Sequence, residues 1–206
     1  KFLKFINQKF KKDCLIIITA DHGESFYEHG LFDHQGSVFE ELLKIPLFII
    51  NLGKKTNKKT VNETVQLLDI APTILDYFGI KIPEDFQGQS LLPSLEGKPI
   101  KNPKYVITEC YQKNRWMKRN QNEGFILLSI SSENWKYIFD EEKNTEFLFN
   151  LKLDPCEKNN LIKENTEKLS EFRLIKNYHI NRITESYEEK LNITKSINRL
   201  KLNRLK

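Results

Sequence analysis

Along the first half of the chain, continuous apolar runs alternate with helical spacings. Residues 14–20 (Cys-Leu-Ile-Ile-Ile-Thr-Ala) carry no charge, the pattern of a strand buried in a parallel sheet. Residues 1–12 set Phe2, Leu3, Phe5, Ile6 and Phe10 among lysines, which predicts the end of an amphipathic helix. Residues 23–36 form a loop rich in Gly, His, Asp and aromatics. Residues 37–44 predict a short helix with Val38, Leu42 and Leu43 inward, and 45–52 a second apolar strand. Val65, Leu68, Ile70, Ile74, Leu75 and Phe78 recur at helical spacing, so 64–78 predict a helix with Gly79 as its stop. Pro and Gly break 83–103 into loop, and 105–108 read as another buried strand.

From Gly124 the pattern shortens. Residues 125–130, 135–139 and 145–150 are strand-like runs separated by polar turns with no helix between them, which predicts an antiparallel meander. Residues 166–190 return to helical spacing, with Leu169, Phe172, Ile175 and Ile183 on the apolar side, and the last dozen are basic. The class expected is α/β. Residues 1–108 would form one α/β unit, 109–165 a small antiparallel sheet, and 166–206 a basic helical tail.

Composition adds few constraints. A net charge of +5 is spread through a Lys- and Asn-rich chain, without a recognition motif for nucleic acid. Cys14, Cys110 and Cys156 are far apart and form no Cys-x-x-Cys pair, which argues against a zinc ribbon or a disulfide scaffold. No apolar run reaches the roughly 20 residues that span a bilayer. The lysine-studded opening lacks the apolar core of a signal peptide. It reads as a stretch that starts inside a domain, so compartment and oligomeric state stay open, with the cytoplasm slightly favoured.

The chemistry concentrates where the first strand stops. Residues 16–24 read Ile-Ile-Ile-Thr-Ala-Asp-His-Gly-Glu, so Asp21 and His22 stand just beyond the carboxyl end of a strand, where open α/β sheets bind ligands. A carboxylate and an imidazole there are candidate metal ligands, and Gly23 would permit a tight turn.

Together with several downstream blocks, this segment resembles the C-terminal half of a sulfatase, in the alkaline phosphatase-like superfamily. Residues 17–24 resemble the family's second metal-ligand segment. Residues 34–46 (His-Gln-Gly-Ser-Val-Phe-Glu-Glu-Leu-Leu-Lys-Ile-Pro) resemble its His-Gly-x-x-x-Tyr-Glu-Glu-x-x-Arg-x-Pro block. Residues 68–75 with 88–93 resemble its next helix and loop. Residues 147–161, through Asp154-Pro155-Cys156-Glu157 and Asn160-Leu161, resemble the family ending. Tyr27-Glu28-His29-Gly30 is similar to a family Gly-Glu-His-Gly turn.

The resemblance implies a divalent cation held by Asp21 and His22. Calcium is the first expectation, with Mn2+ or Zn2+ as alternatives, since imidazole suits the latter better. Glu24 would orient His22. His34 would face the transferred group, binding sulfate oxygens and protonating the leaving alkoxide. The expected substrate is a sulfated small molecule or carbohydrate. The family's formylglycine lies in a Cys-x-Pro-x-Arg segment, and none of these 206 residues matches it. The fragment alone is therefore expected to be inactive. His29 and His179 read as structural, Glu40 and Glu41 as helix-start carboxylates, and Lys44 as an ion-pair partner. Two other readings stay open: a phosphate or phosphonate ester hydrolase or transferase of the same superfamily, and a non-catalytic remnant.

Overall fold

The computed structural model describes residues 1–10, 14–34, 36–52, 60–113, 124–132 and 134–183. Residues 54–59, Arg115, Trp116, Asn192 and the tail beyond 183 lie outside them. The chain divides into two compact units, Lys1–Val106 and Ile107–Lys206.

The first unit opens with helix α1 (Phe2–Phe10) and strand β1 (Leu15–Thr19). A small hairpin, β2 (Ser25–Phe26) and β3 (Phe32–Asp33), leads to the one-turn helix α2 (Glu40–Leu43) and to β4 (Leu47–Asn51). Strands β1 and β4 pair antiparallel, with Ile17 opposite Ile49. This corrects the parallel pairing expected for β1. Strand β4 returns beside β1 in the opposite sense. Nor are the two strands fully buried, since Ile18 of β1 and Phe48 of β4 are 41% and 60% exposed. The helix expected at 1–12 forms, but its Phe2, Phe5 and Phe10 are exposed, with Lys9 over two of the rings.

Helix α3 (Ile70–Tyr77) starts later than its apolar spacing suggests, after a short 3-10 turn at Leu67–Asp69. The buried Asp69 carboxylate explains the boundary. It accepts the backbone N–H groups of Gln66 and of Gln89, both at 2.8 Å. Thr73 completes the joint, its Oγ1 donating to Asp69 O at 2.6 Å and accepting from Leu91 N–H at 2.9 Å. A Cβ on Gly88 would lie 2.0 Å from Leu68 O, so only glycine lets the two stretches meet. The loop expected at 83–103 contains one further turn of helix, α4 (Leu92–Leu95), with proline near its start.

In the second unit, β5 (Val106–Lys113), β6 (Gly124–Ser132), β7 (Trp135–Asp140) and β8 (Thr145–Asn150) form a four-stranded sheet in chain order. The β6–β7 and β7–β8 pairs are antiparallel, the meander expected. Ile130, Tyr137 and Leu148 lie on one cross-strand rung and are fully buried. Helix α5 (residues 166–183) packs its buried Phe172 against Tyr137, ring centroids 5.9 Å apart and nearly parallel. On the alternate positions, Lys136 meets Glu157 at 2.9 Å with both side chains fully buried. Strand β8 is covered at its edge, where Leu148 N–H donates to Asn160 Oδ1 and Leu161 N–H to Leu148 O. The family ending thus builds the fold here. Cys14, Cys110 and Cys156 are free thiols. No helix of the described residues is long and apolar enough to cross a membrane.

Candidate active site

Asp21 and His22 lie just past the end of β1, and both side chains are solvent-accessible. Asp21 Oδ1 accepts His22 N–H at 3.1 Å, which turns the carboxylate back toward the imidazole. His22 Nδ1 lies 2.7 Å from Gly23 O, so Nδ1 carries the proton and Nε2 keeps its lone pair. That Nε2 is 3.7 Å from Asp21 Oδ2. The His22 pKa is raised, first by the bond to Gly23 O and then by the carboxylates of Asp21, Glu24 and Asp33. Partial desolvation opposes them.

Gly23 does not serve as the turn expected of it. Its N–H donates to Leu42 O at 2.8 Å, and a Cβ there would fall 1.9 Å from Glu41 O. The residue is glycine because the loop after β1 presses against the backbone of α2.

The β2–β3 hairpin brings the second histidine back. Ser25 pairs with Asp33 and Phe26 with Phe32, so the hairpin's end returns beside its start. Asp33 adopts φ 78°, a left-handed conformation that Asp tolerates better than most residues, and the chain swings His34 toward His22. Asp33 Oδ1 then accepts His34 N–H at 2.8 Å and stands 2.5 Å from His34 Nδ1. Glu24, expected beside His22, instead places Oε1 3.5 Å from His34 Nδ1. The His34 ring stacks on the His22 ring, centroids 4.6 Å apart. Asp21, His22, Glu24, Asp33 and His34 are thereby one cluster. Glu24, Asp33 and His34 also offer ligand atoms within 4.8 Å of one another.

Sequence reasoning missed Asp33, although a carboxylate beside a histidine in Phe-Asp-His was the available signal. It also gave Glu41 only a helix-start role. Glu41 Oε1 lies 2.7 Å from Nδ1 of His29, whose ring stacks flat on Phe39 at 3.7 Å. That clamp ties the hairpin to α2, the structural role expected of His29. His179 meets Glu109 at 3.2 Å within the second unit.

The cluster holds three carboxylates and two imidazoles, a donor set that suits a divalent cation and would repel an anion without one.

The fold is that of the alkaline phosphatase-like hydrolases. The phosphonate monoester hydrolase of Agrobacterium radiobacter superposes with a TM-score of 0.71 at 22% identity, over 89% of this chain and 38% of that one. The chain belongs to the family described as N-sulphoglucosamine sulphohydrolase, C-terminal, which matches residues 27–186. Among curated relatives, it is 30% identical over 181 residues to a Delta 4,5-hexuronate-2-O-sulfatase of Bacteroides thetaiotaomicron, covering 85% of this chain and 36% of that protein. A structure solved in complex with its substrate, D-glucosamine-2-N,6-O-disulfate, matches with a TM-score of 0.66 at 25% identity, over 88% of this chain and 36% of that one. The chain thus spans about a third of the length of these relatives.

Proposed function

We propose that this chain supplies one side of the active site of a metal-dependent sulfatase that hydrolyses a sulfated carbohydrate. The observation carrying this reading is the convergence of the residues after β1 with His34, through the 4.6 Å ring stack. Membership of a sulfatase family supports the reaction class, and the relative solved with a disulfated glucosamine supports the substrate class.

Asp21 Oδ2 and His22 Nε2 would hold the cation. A bound divalent cation supplies positive charge to sulfate oxygens and to the attacking group. Ca2+ is the first expectation for that cation, with Mn2+ or Zn2+ the alternatives that an imidazole nitrogen suits. The nucleophile would be the family's formylglycine, contributed by sequence other than these residues. Asp33 holds Nδ1 of His34, which leaves Nε2 to face substrate. When the S–O bond of the ester breaks, the departing sugar oxygen takes its proton from Nε2–H of protonated His34.

Matched sulfate and phosphate monoesters of one sugar test the reading in the complete enzyme. A kcat/KM that is higher for D-glucosamine-2-N,6-O-disulfate than for the phosphate ester supports it. The reverse order, or no sulfate turnover, would overturn it in favour of a phosphoester hydrolase or a non-catalytic role.

A further inference from the structure

The β2–β3 hairpin that positions His34 ends in a cluster of exposed rings. Phe26, Tyr27 and Phe32 are 66%, 68% and 61% exposed. Tyr27 lies on Phe32 with centroids 5.3 Å apart and planes inclined at 30°, and Phe26 meets Phe32 edge-on. Contiguous exposed aromatic surface marks a binding site more often than chance exposure does.

Its position narrows the occupant. Phe32 stands opposite Phe26 on one rung of the hairpin. Ser25, beside Phe26, is buried. Glu24 Oε1 is 3.5 Å from His34 Nδ1, and Asp33 Oδ1 is 2.5 Å from it. Phe26 and Phe32 each lie within two residues of a side chain of the candidate site.

Tyr27 adds a further sign. Its φ is 73°, and it occupies the place of a glycine in the similar family turn. A bulky residue there is strained where glycine is not. Its side chain is 68% exposed, and its ring contact is with Phe32.

We propose that Phe26, Tyr27 and Phe32 form a stacking platform for the pyranose ring of the sulfated sugar, an inference that rests on the sulfatase reading above. A pyranose presents an apolar C–H face to an aromatic ring while its hydroxyls and sulfates point outward. The platform would bind the ring without entering the chemistry.

The test is steady-state kinetics of the complete enzyme on D-glucosamine-2-N,6-O-disulfate. Tyr27→Gly relieves the strained backbone, so loss of folding does not obscure the result. Removal of a stacked ring should raise KM roughly three- to tenfold, the range of aromatic stacking energies. It should leave kcat unchanged, as expected for binding shared by ground and transition states. Tyr27→Trp should restore KM, and Phe32→Leu should raise it while keeping apolar volume. Unchanged KM in both Tyr27→Gly and Phe32→Leu would overturn the platform. So would a lowered Tm with unchanged KM, because the rings would then be packing against protein. Failure of the platform appears as normal wild-type turnover that ignores the rings. Failure of the sulfatase reading appears as no wild-type turnover at all, and the platform falls with it.

Discussion

The imidazole of His22 lies on the imidazole of His34, ring centroids 4.6 Å apart and planes inclined at 29°. Each ring is oriented by its own acceptor, Gly23 O for the first and Asp33 Oδ1 for the second. Two side chains twelve positions apart are thus set side by side by one hairpin.

The Asp33–His34 pair predicts a separation of roles. In the complete enzyme, His34→Ala should lower kcat by about 10²–10⁴, the range for a lost general acid. Asp33→Asn should lower it less, since the amide can still accept from Nδ1 but stabilises imidazolium poorly. Both variants should retain the wild-type metal content, measured by atomic emission. Wild-type kcat in His34→Ala would remove the residue from the chemistry.

Gly23→Ala should destabilise the first unit. The new methyl would fall 1.9 Å from Glu41 O, and both partners are backbone. Overpacking of this kind costs about 1–3 kcal/mol, read as a lower urea midpoint. An unchanged midpoint would show that the loop after β1 does not press on α2.

In the second unit, Lys136→Met should cost about 3–5 kcal/mol, because it removes the cation of a buried ion pair. Lys136 and Glu157 stand 2.9 Å apart with no exposed side-chain surface. Changing both to apolar residues of similar volume should recover much of the loss. Thermal unfolding of the single and double variants checks this.

Acid should loosen the same unit through Glu146. Arg173 grips its carboxylate through Nε at 3.0 and 3.1 Å and through Nη2. These bonds hold the Glu146 pKa below its ordinary 4.5; partial burial opposes them, and the Tyr137 hydroxyl adds to the lowering. A lowered carboxylate stabilises the fold fully above its unfolded pKa. The contribution disappears as pH falls through the lowered folded value. Tm should therefore fall steeply below about pH 4.5, near the unfolded carboxylate pKa, and the slope should flatten in Arg173→Met. Burial pushes the Tyr137 hydroxyl the other way, well above its usual value, so it stays protonated throughout this range.

Local pattern carried the sequence reading far. The meander, the final helix and the first strand were legible because strand alternation and helical spacing are short-range properties. The clustering of His22 with His34 was expected only through family resemblance. The features that escaped were longer in range. The antiparallel sense of β1–β4 pairing joins residues about 30 positions apart, which apolar runs do not encode. The start of α3 depends on Asp69 reaching Gln89, 20 positions away. Asp33 escaped because its left-handed backbone, and not its residue type, aims its carboxylate at His34.

Bound metal in the complete enzyme, wild type against Asp21→Ala, tests the central claim most directly. Atomic emission should find a stoichiometric divalent cation in the wild type and its loss in the variant, together with loss of sulfate-ester turnover. Full metal content and unchanged rates in Asp21→Ala would contradict the assignment of the cation to the end of β1.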